Sequence, residues 1–113
     1  MINNQKILYK FIKTNNNVDW DYISYYYKLS ENFIREFKYN VYWDFISTHQ
    51  NSLENFIQEF KDEVDWHLIS KHQKLSENFI IEFQDKVDWY YISKYQKLSE
   101  DFKSEFKHRL NSK

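Results

Sequence analysis

Apolar residues recur along this chain in short bursts that have helical spacing. Trp20, Ile23 and Tyr27 fall at i, i+3 and i+7, and Phe33, Ile34 and Phe37 form a second stripe. Each set is one face of an α-helix. Polar capping residues open each burst. Asp19, Asp65 and Asp88 precede the first stripe, and Ser30, Ser76 and Ser99 precede the second. Such side chains accept hydrogen bonds from the free N–H groups of a first helical turn. Val18 with Ile23, and Leu29 with Ile34, have the spacing of a hydrophobic staple around those caps. Glu31 and its equivalents follow in the first turn, and Lys38, Lys61 and Lys107 lie near the far end, as the helix dipole favours. The pattern predicts pairs of short helices of about nine residues.

The pairs repeat. Trp20, Trp43, Trp66 and Trp89 stand 23 residues apart, as do Val18, Val41, Val64 and Val87. The same step carries Ile23, Ser24, Glu31, Phe33, Glu36 and Phe37 through four copies, so eight columns are identical in every copy. A fixed period of this kind signals stacked repeats. Helices this short are marginal alone in water, so each unit must bury its stripe against its neighbours. The expected core is Trp20, Trp43, Trp66 and Trp89, with Phe33, Phe56, Phe79 and Phe102 and with Phe37, Phe60, Phe83 and Phe106. The predicted fold class is all-α: one short α-solenoid of about nine helices. Residues 1–17 read as a degenerate capping helix, 18–40, 41–63, 64–86 and 87–109 as the repeats, and 110–113 as a tail. Ile7, Leu8, Phe11 and Ile12 form the apolar side of the cap, and Leu110-Asn111 restarts the motif.

Departures from the consensus carry expectations of their own. Tyr42 replaces the capping Asp, and Ser52-Leu53 reverses the usual order, so the second copy should have shifted or frayed helix starts. Lys103 replaces the apolar residue of the Ile34 column, which suits a unit with nothing stacked beyond it.

Composition then narrows the chemistry. Gly, Pro and Cys are all zero, and there is no Ala. Average usage would give about eight Gly and about six Pro. Absence of Gly excludes a Gly-rich phosphate loop and the usual nucleophile elbow. It also leaves Asn40 or Lys86 to take any left-handed helix C-cap. Absence of Cys excludes a disulfide framework and thiolate metal sites. Gly, Ala and Pro use GC-rich codons, so their absence points to an AT-rich genome. A net charge of −1, from 16 Lys and Arg against 17 Asp and Glu, lacks the basic balance of a typical nucleic-acid binder. No apolar run spans a bilayer, and the start, Met1 to Lys6, has no signal-peptide core. A cytoplasmic protein without membrane contact is expected.

The string Val64-Asp65-Trp66-His67-Leu68-Ile69-Ser70 through Phe83 resembles tandem helical repeats found in AT-rich large DNA viruses, phages and some bacteria. The resemblance covers residues 18 to 109. It implies an interaction scaffold rather than a particular activity. Some small proteins of AT-rich mobile elements inhibit host defence enzymes, including CRISPR effectors, and a repeat chain of 113 residues would fit that role.

No nucleophile–base set, metal cluster or phosphate loop is present, so neither an enzyme nor a cofactor is expected. The Ser24 column reads as a small residue at a close helix crossing, with its hydroxyl bonded one turn back. The Glu36, Glu59, Glu82 and Glu105 column forms a ladder that pairs with Lys or backbone at unit junctions. His67 and His72 are five apart, which is wrong for two ligands on one helix. Variable columns are the candidates for a partner-reading face. They are Asp21 and Tyr25, Asp44 and Thr48, His67 and Lys71, and Tyr90 and Lys94, each an i, i+4 pair. Tyr26, His49, His72 and Tyr95 form the adjoining row. Arg35, Gln58, Ile81 and Ser104 vary on the second helices. Tyr and His suit a protein interface. The leading expectation is a protein-binding solenoid. The alternatives are a repeat protein that stacks single-stranded RNA or DNA, and a structural or oligomerising scaffold.

Overall fold

The computed structural model describes residues 5–50 and 54–110. All regular structure among them is helical. An N-terminal helix α1 (Gln5–Thr14) precedes four pairs: α2 (Trp20–Tyr26) with α3 (Glu31–Glu36), α4 (Trp43–His49) with α5 (Glu54–Glu59), α6 (Trp66–His72) with α7 (Glu77–Glu82), and α8 (Trp89–Tyr95) with α9 (Glu100–Glu105). A final turn, α10 (Lys107–Leu110), follows. The first helix of each pair has 7 residues and the second 6. Both are shorter than the expected nine, because the chain leaves each helix as soon as its apolar stripe ends.

The caps form as the sequence predicts. Asp19 accepts from Tyr22 N–H, Asp65 from Leu68 N–H, and Asp88 from Tyr90 and Tyr91 N–H. Ser30, Ser76 and Ser99 accept from Phe33, Phe79 and Phe102 N–H. Tyr42 makes no side-chain cap, yet α4 still starts at its Trp, in register with the other copies. The expected shift is therefore absent at α4. The Ser52-Leu53 inversion and Asn111 lie outside the described residues.

The expected left-handed C-caps are absent too. No described residue has positive φ, Asn40 and Lys86 included. Instead the second helices exit through right-handed turns. Phe37 has φ −110° and ψ 28°, and it accepts the N–H groups of both Asn40 and Val41. Phe83 does the same for Lys86 and Val87. First helices end in extended residues such as Gln73, φ −94° and ψ 144°. Because the described backbone never enters the left-handed region, none of its positions demands Gly.

Stacking follows from burial. First helices pack directly on one another, α2 on α4, α4 on α6 and α6 on α8. Ser24, Ser47 and Ser70 are fully buried at these crossings, where a small side chain permits close approach. Phe33, Phe56, Ile34, Ile57 and Ile80 fill the space behind. The four Trp residues and Phe37 are half-buried against this core rather than inside it. Their polar edge explains the position, because an indole N–H needs an acceptor when buried. Trp43, Trp66 and Trp89 donate from Nε1 to the carbonyls of Lys38, Lys61 and Gln84, at the exit of the preceding second helix.

Side chains also bond unit to unit. Gln50, Gln73 and Gln96 form a ladder along the row of first helices. Gln50 Nε2 donates to Tyr27 O at 2.8 Å, and its Oε1 accepts from Leu29 N–H at 3.0 Å. Gln73 Nε2 donates to Ser47 O and Gln50 O, and Gln96 Nε2 to Ser70 O and Gln73 O. Each Gln thus supplies partners for backbone groups that the preceding first helix leaves open. The Ser column works forward. Ser24, Ser47 and Ser70 accept the backbone N–H of Tyr42, Asp65 and Asp88 in the next unit. Ser70 also donates one turn back to Trp66 O, as expected. Glu54 and Glu77 reach Ser76 and Ser99 of the following unit, and Gln5 of α1 does the corresponding work for Lys28 O and Ser30 N–H.

The result is a rod of 54 × 22 × 21 Å with a radius of gyration of 16.3 Å. A compact chain of this length would have roughly 13 Å. Two helix layers of about 10–12 Å each account for the width, so the chain is elongated along the repeat direction.

Candidate interaction face

Buried polar side chains in this chain are occupied with holding units together, and among the described residues no buried side-chain nitrogen or oxygen lacks a partner. Candidate functional chemistry therefore lies on the outward side of the first-helix row. Tyr25, Tyr26, Tyr90 and Tyr95 are there, with Tyr26 at 49% and Tyr95 at 48% of full exposure.

In the first two units the rings touch. Tyr25 lies 4.7 Å from Tyr26, 4.3 Å from His49 and 5.2 Å from Phe45 between ring centres. Tyr22 lies tilted against Tyr26 at 4.6 Å, and Tyr42 stacks on Phe45. An open depression beside them is lined by Asp19, Asp21, Tyr22, Tyr25 and Tyr26. In the last two units the rings carry cations. Lys71 Nζ sits 5.6 Å from the Tyr91 ring and 5.7 Å from Tyr95, and Lys94 Nζ sits 5.6 Å from both Tyr90 and Tyr95. A cation over an aromatic face is held by the ring quadrupole. A hydrogen bond with Tyr90 also keeps Lys94 above the usual ammonium range.

His72 lies between the two halves. Desolvation, the Lys71 charge and His49 together push its imidazole below the ordinary histidine range. His67 does not join the aromatic row. Its Nδ1 bonds Asp88, the cap of the next first helix. Asp21 is exposed, Thr48 is half-buried, and Asp44 accepts the N–H of Phe45 at 2.9 Å.

The face thus joins Tyr25, Tyr26 and His49 in one group and Lys71, Tyr90, Lys94 and Tyr95 in another. Sequence reading omitted Tyr22, Phe45 and Tyr91, which complete the contacts. Their column reads Tyr, Phe, Leu, Tyr, and that unbroken apolar character was the available signal.

The second-helix side is built differently. Arg35 makes a two-pronged pair with Glu59 of the next unit, at 2.7 and 2.8 Å, and also bonds Glu31 and Asn32. That pairing holds the Glu59 carboxyl below its ordinary range. Glu36 contacts Tyr9 of α1, raising the phenol's pKa after the larger effect of burial. Glu82 and Glu105 are exposed. Of the acidic column, Glu59 thus pairs with Arg35 and Glu36 with Tyr9 at unit junctions, where Lys or backbone partners were expected; the Lys38 charge adds only a lesser pull on Glu59. Among the described residues no three His, Asp or Glu side chains converge as for a metal, and no helix is long and apolar enough to cross a membrane. No family model, no curated protein and no solved structure matches the chain.

Proposed function

We propose that this chain is a protein-binding solenoid with no catalytic chemistry of its own, and that its outward first-helix face is the binding surface. The observation that carries this reading is the run of exposed, mutually touching aromatic side chains along that face. Tyrosine presents a large contact area at low entropic cost, and its hydroxyl satisfies polar groups on a partner. Such residues on successive first helices suit an extended protein surface. Nucleic acid is the weaker occupant. Lys71 and Lys94 beside tyrosines would suit stacked bases, but Asp19, Asp21 and Asp44 on the other half would repel phosphates.

The resemblance to repeats of AT-rich viruses and phages supports a further step. A chain of this kind works in the cytoplasm of a host cell as an inhibitor of a host defence protein, such as a CRISPR effector. The test is capture from a lysate of the native host on the immobilised chain, with and without nuclease. One dominant, nuclease-resistant protein is expected. It should be lost when Tyr26, His49, His72 and Tyr95 are all replaced by Ala. Retention of every partner by that variant would overturn the choice of face, and loss of signal on nuclease treatment would move the assignment to nucleic acid.

A further inference from the structure

Asp21, Asp44, Lys71 and Lys94 stand on the outward first-helix face, and no ion pair among the described residues engages any of them. Asp21 and Asp44 directly follow the Trp of α2 and α4, while Lys71 and Lys94 lie one turn further along α6 and α8. Positions four apart share a helix face, so the four charges form one stripe. Its two carboxylates lie at the N-terminal half and its two ammonium groups at the C-terminal half. Ion pairs elsewhere, such as Arg35–Glu59 and Lys86–Asp62, are already closed within the chain.

We infer that this stripe pairs with the same stripe of a second copy in antiparallel orientation. The inference rests on the reading of this face as a protein-binding surface, and it names the occupant when no foreign partner is present. The two-fold axis lies in the interface, across the rod, between α4 and α6. It sets α2 over the partner's α8 and α4 over the partner's α6. Because the repeat step is constant, every unit then meets a unit. Asp21 faces the helix carrying the partner's Lys94, and Asp44 faces the helix carrying the partner's Lys71. Tyr25 meets the partner's Lys94 at the same helix height. The parallel arrangement sets Asp21 against Asp21 and Lys94 against Lys94, and is repelled. Such a contact is isologous and closes on itself as a dimer.

Size permits it. A stable interface needs roughly 800 Å² per partner, and the rod offers a side 54 Å long and 22 Å wide. Tyr25, Tyr26, Tyr90 and Tyr95 supply contact area, and the charges supply register and orientation.

The test is the mass of the purified chain by sedimentation equilibrium over a concentration series, at low and high salt. Wild type should reach twice the 14.3 kDa chain mass, with association weakened by salt. Asp21→Lys with Asp44→Lys should weaken self-association by about tenfold or more, as should Lys71→Asp with Lys94→Asp. An equimolar mixture of these two variants should recover the dimer, and so should all four reversals in one chain. Circular dichroism checks that each variant keeps its helices. A wild-type chain that stays monomeric at every concentration would overturn the inference, as would a dimer indifferent to the reversals. If a monomeric wild type still captures a protein through Tyr26 and Tyr95, this inference fails while the protein-binding reading stands. A charge-dependent dimer that captures nothing gives the opposite division.

Discussion

Replacing Gln50 by Leu should be among the most damaging single changes that leave side-chain volume nearly constant. Gln50 is 4% exposed. Its amide group supplies Tyr27 O at 2.8 Å and Leu29 N–H at 3.0 Å, with a longer contact of 3.5 Å to Ser24 O. Leu fills the space and leaves two well-bonded backbone groups without partners. An orphaned buried group costs about 1–3 kcal/mol, and the added apolar burial returns roughly 1–2 kcal/mol. For the two groups together the expected net loss is about 1–4 kcal/mol, a large share of the roughly 5–15 kcal/mol that holds a domain together. With an unfolding entropy of roughly 0.24 kcal/mol/K for a chain of this size, the melting temperature should fall by about 4–17 °C. Gln58→Leu is the matched control, because Gln58 is exposed on α5 and such changes stay within about 0.5 kcal/mol. Urea unfolding and calorimetry measure both variants, and hydrogen exchange of Leu29 N–H reports the lost bond directly. If Gln50→Leu and Gln58→Leu agree within about 0.5 kcal/mol, the ladder does not hold the units together and the reasoning is wrong.

Ser70→Ala should cost about 1–2 kcal/mol by stranding Asp88 N–H, whereas Ser93→Ala, exposed in the last unit, should leave urea unfolding unchanged. Arg35→Met should remove the depression of the Glu59 pKa. A lowered carboxyl pKa contributes stability above the unfolded value that is lost as pH falls through the folded value. The wild-type advantage in melting temperature should therefore shrink on acidification through the carboxylate range, and a constant difference would refute the pairing. His72 has the converse chemistry and the same direction. Its lowered folded pKa means that stability is full above the unfolded value of 6.5 and declines as pH falls from there. His72→Tyr, which copies its column neighbours Tyr26 and Tyr95, should flatten that decline, as followed by thermal melts and by imidazole NMR titration.

The repeat, the helix pairs and the caps were legible because each rests on local spacing. Asp19, Ser30 and their equivalents need only the turn that follows them. The Gln ladder was less legible, although Gln fills its column in three of four copies. Its partners lie 21 to 26 residues back, so its role depends on how units stack. The exception makes sense only afterwards. Tyr27 occupies the column in the first unit, where no earlier first helix offers carbonyls, and Gln5 of α1 bonds the neighbouring backbone instead. The sequence showed only that any left-handed C-cap would fall to Asn40 or Lys86, and the right-handed turns at Phe37 and Phe83 need none. On the candidate face, the variable columns led to Tyr25, Tyr26 and Tyr95. The cation contacts of Lys71 and Lys94 join side chains of adjacent helices, and only the stacking geometry reveals them.

The central claim, that the outward first-helix face binds protein, is tested most directly by hydrogen–deuterium exchange of the chain alone, diluted until monomeric, and with the protein it captures. Added protection is predicted in α2, α4, α6 and α8, at amides beside Tyr25, Tyr26, Tyr90 and Tyr95, with α3, α5, α7 and α9 unchanged. Protection confined to the second helices would contradict the account and place the interface on the Arg35 and Ile81 side of the rod.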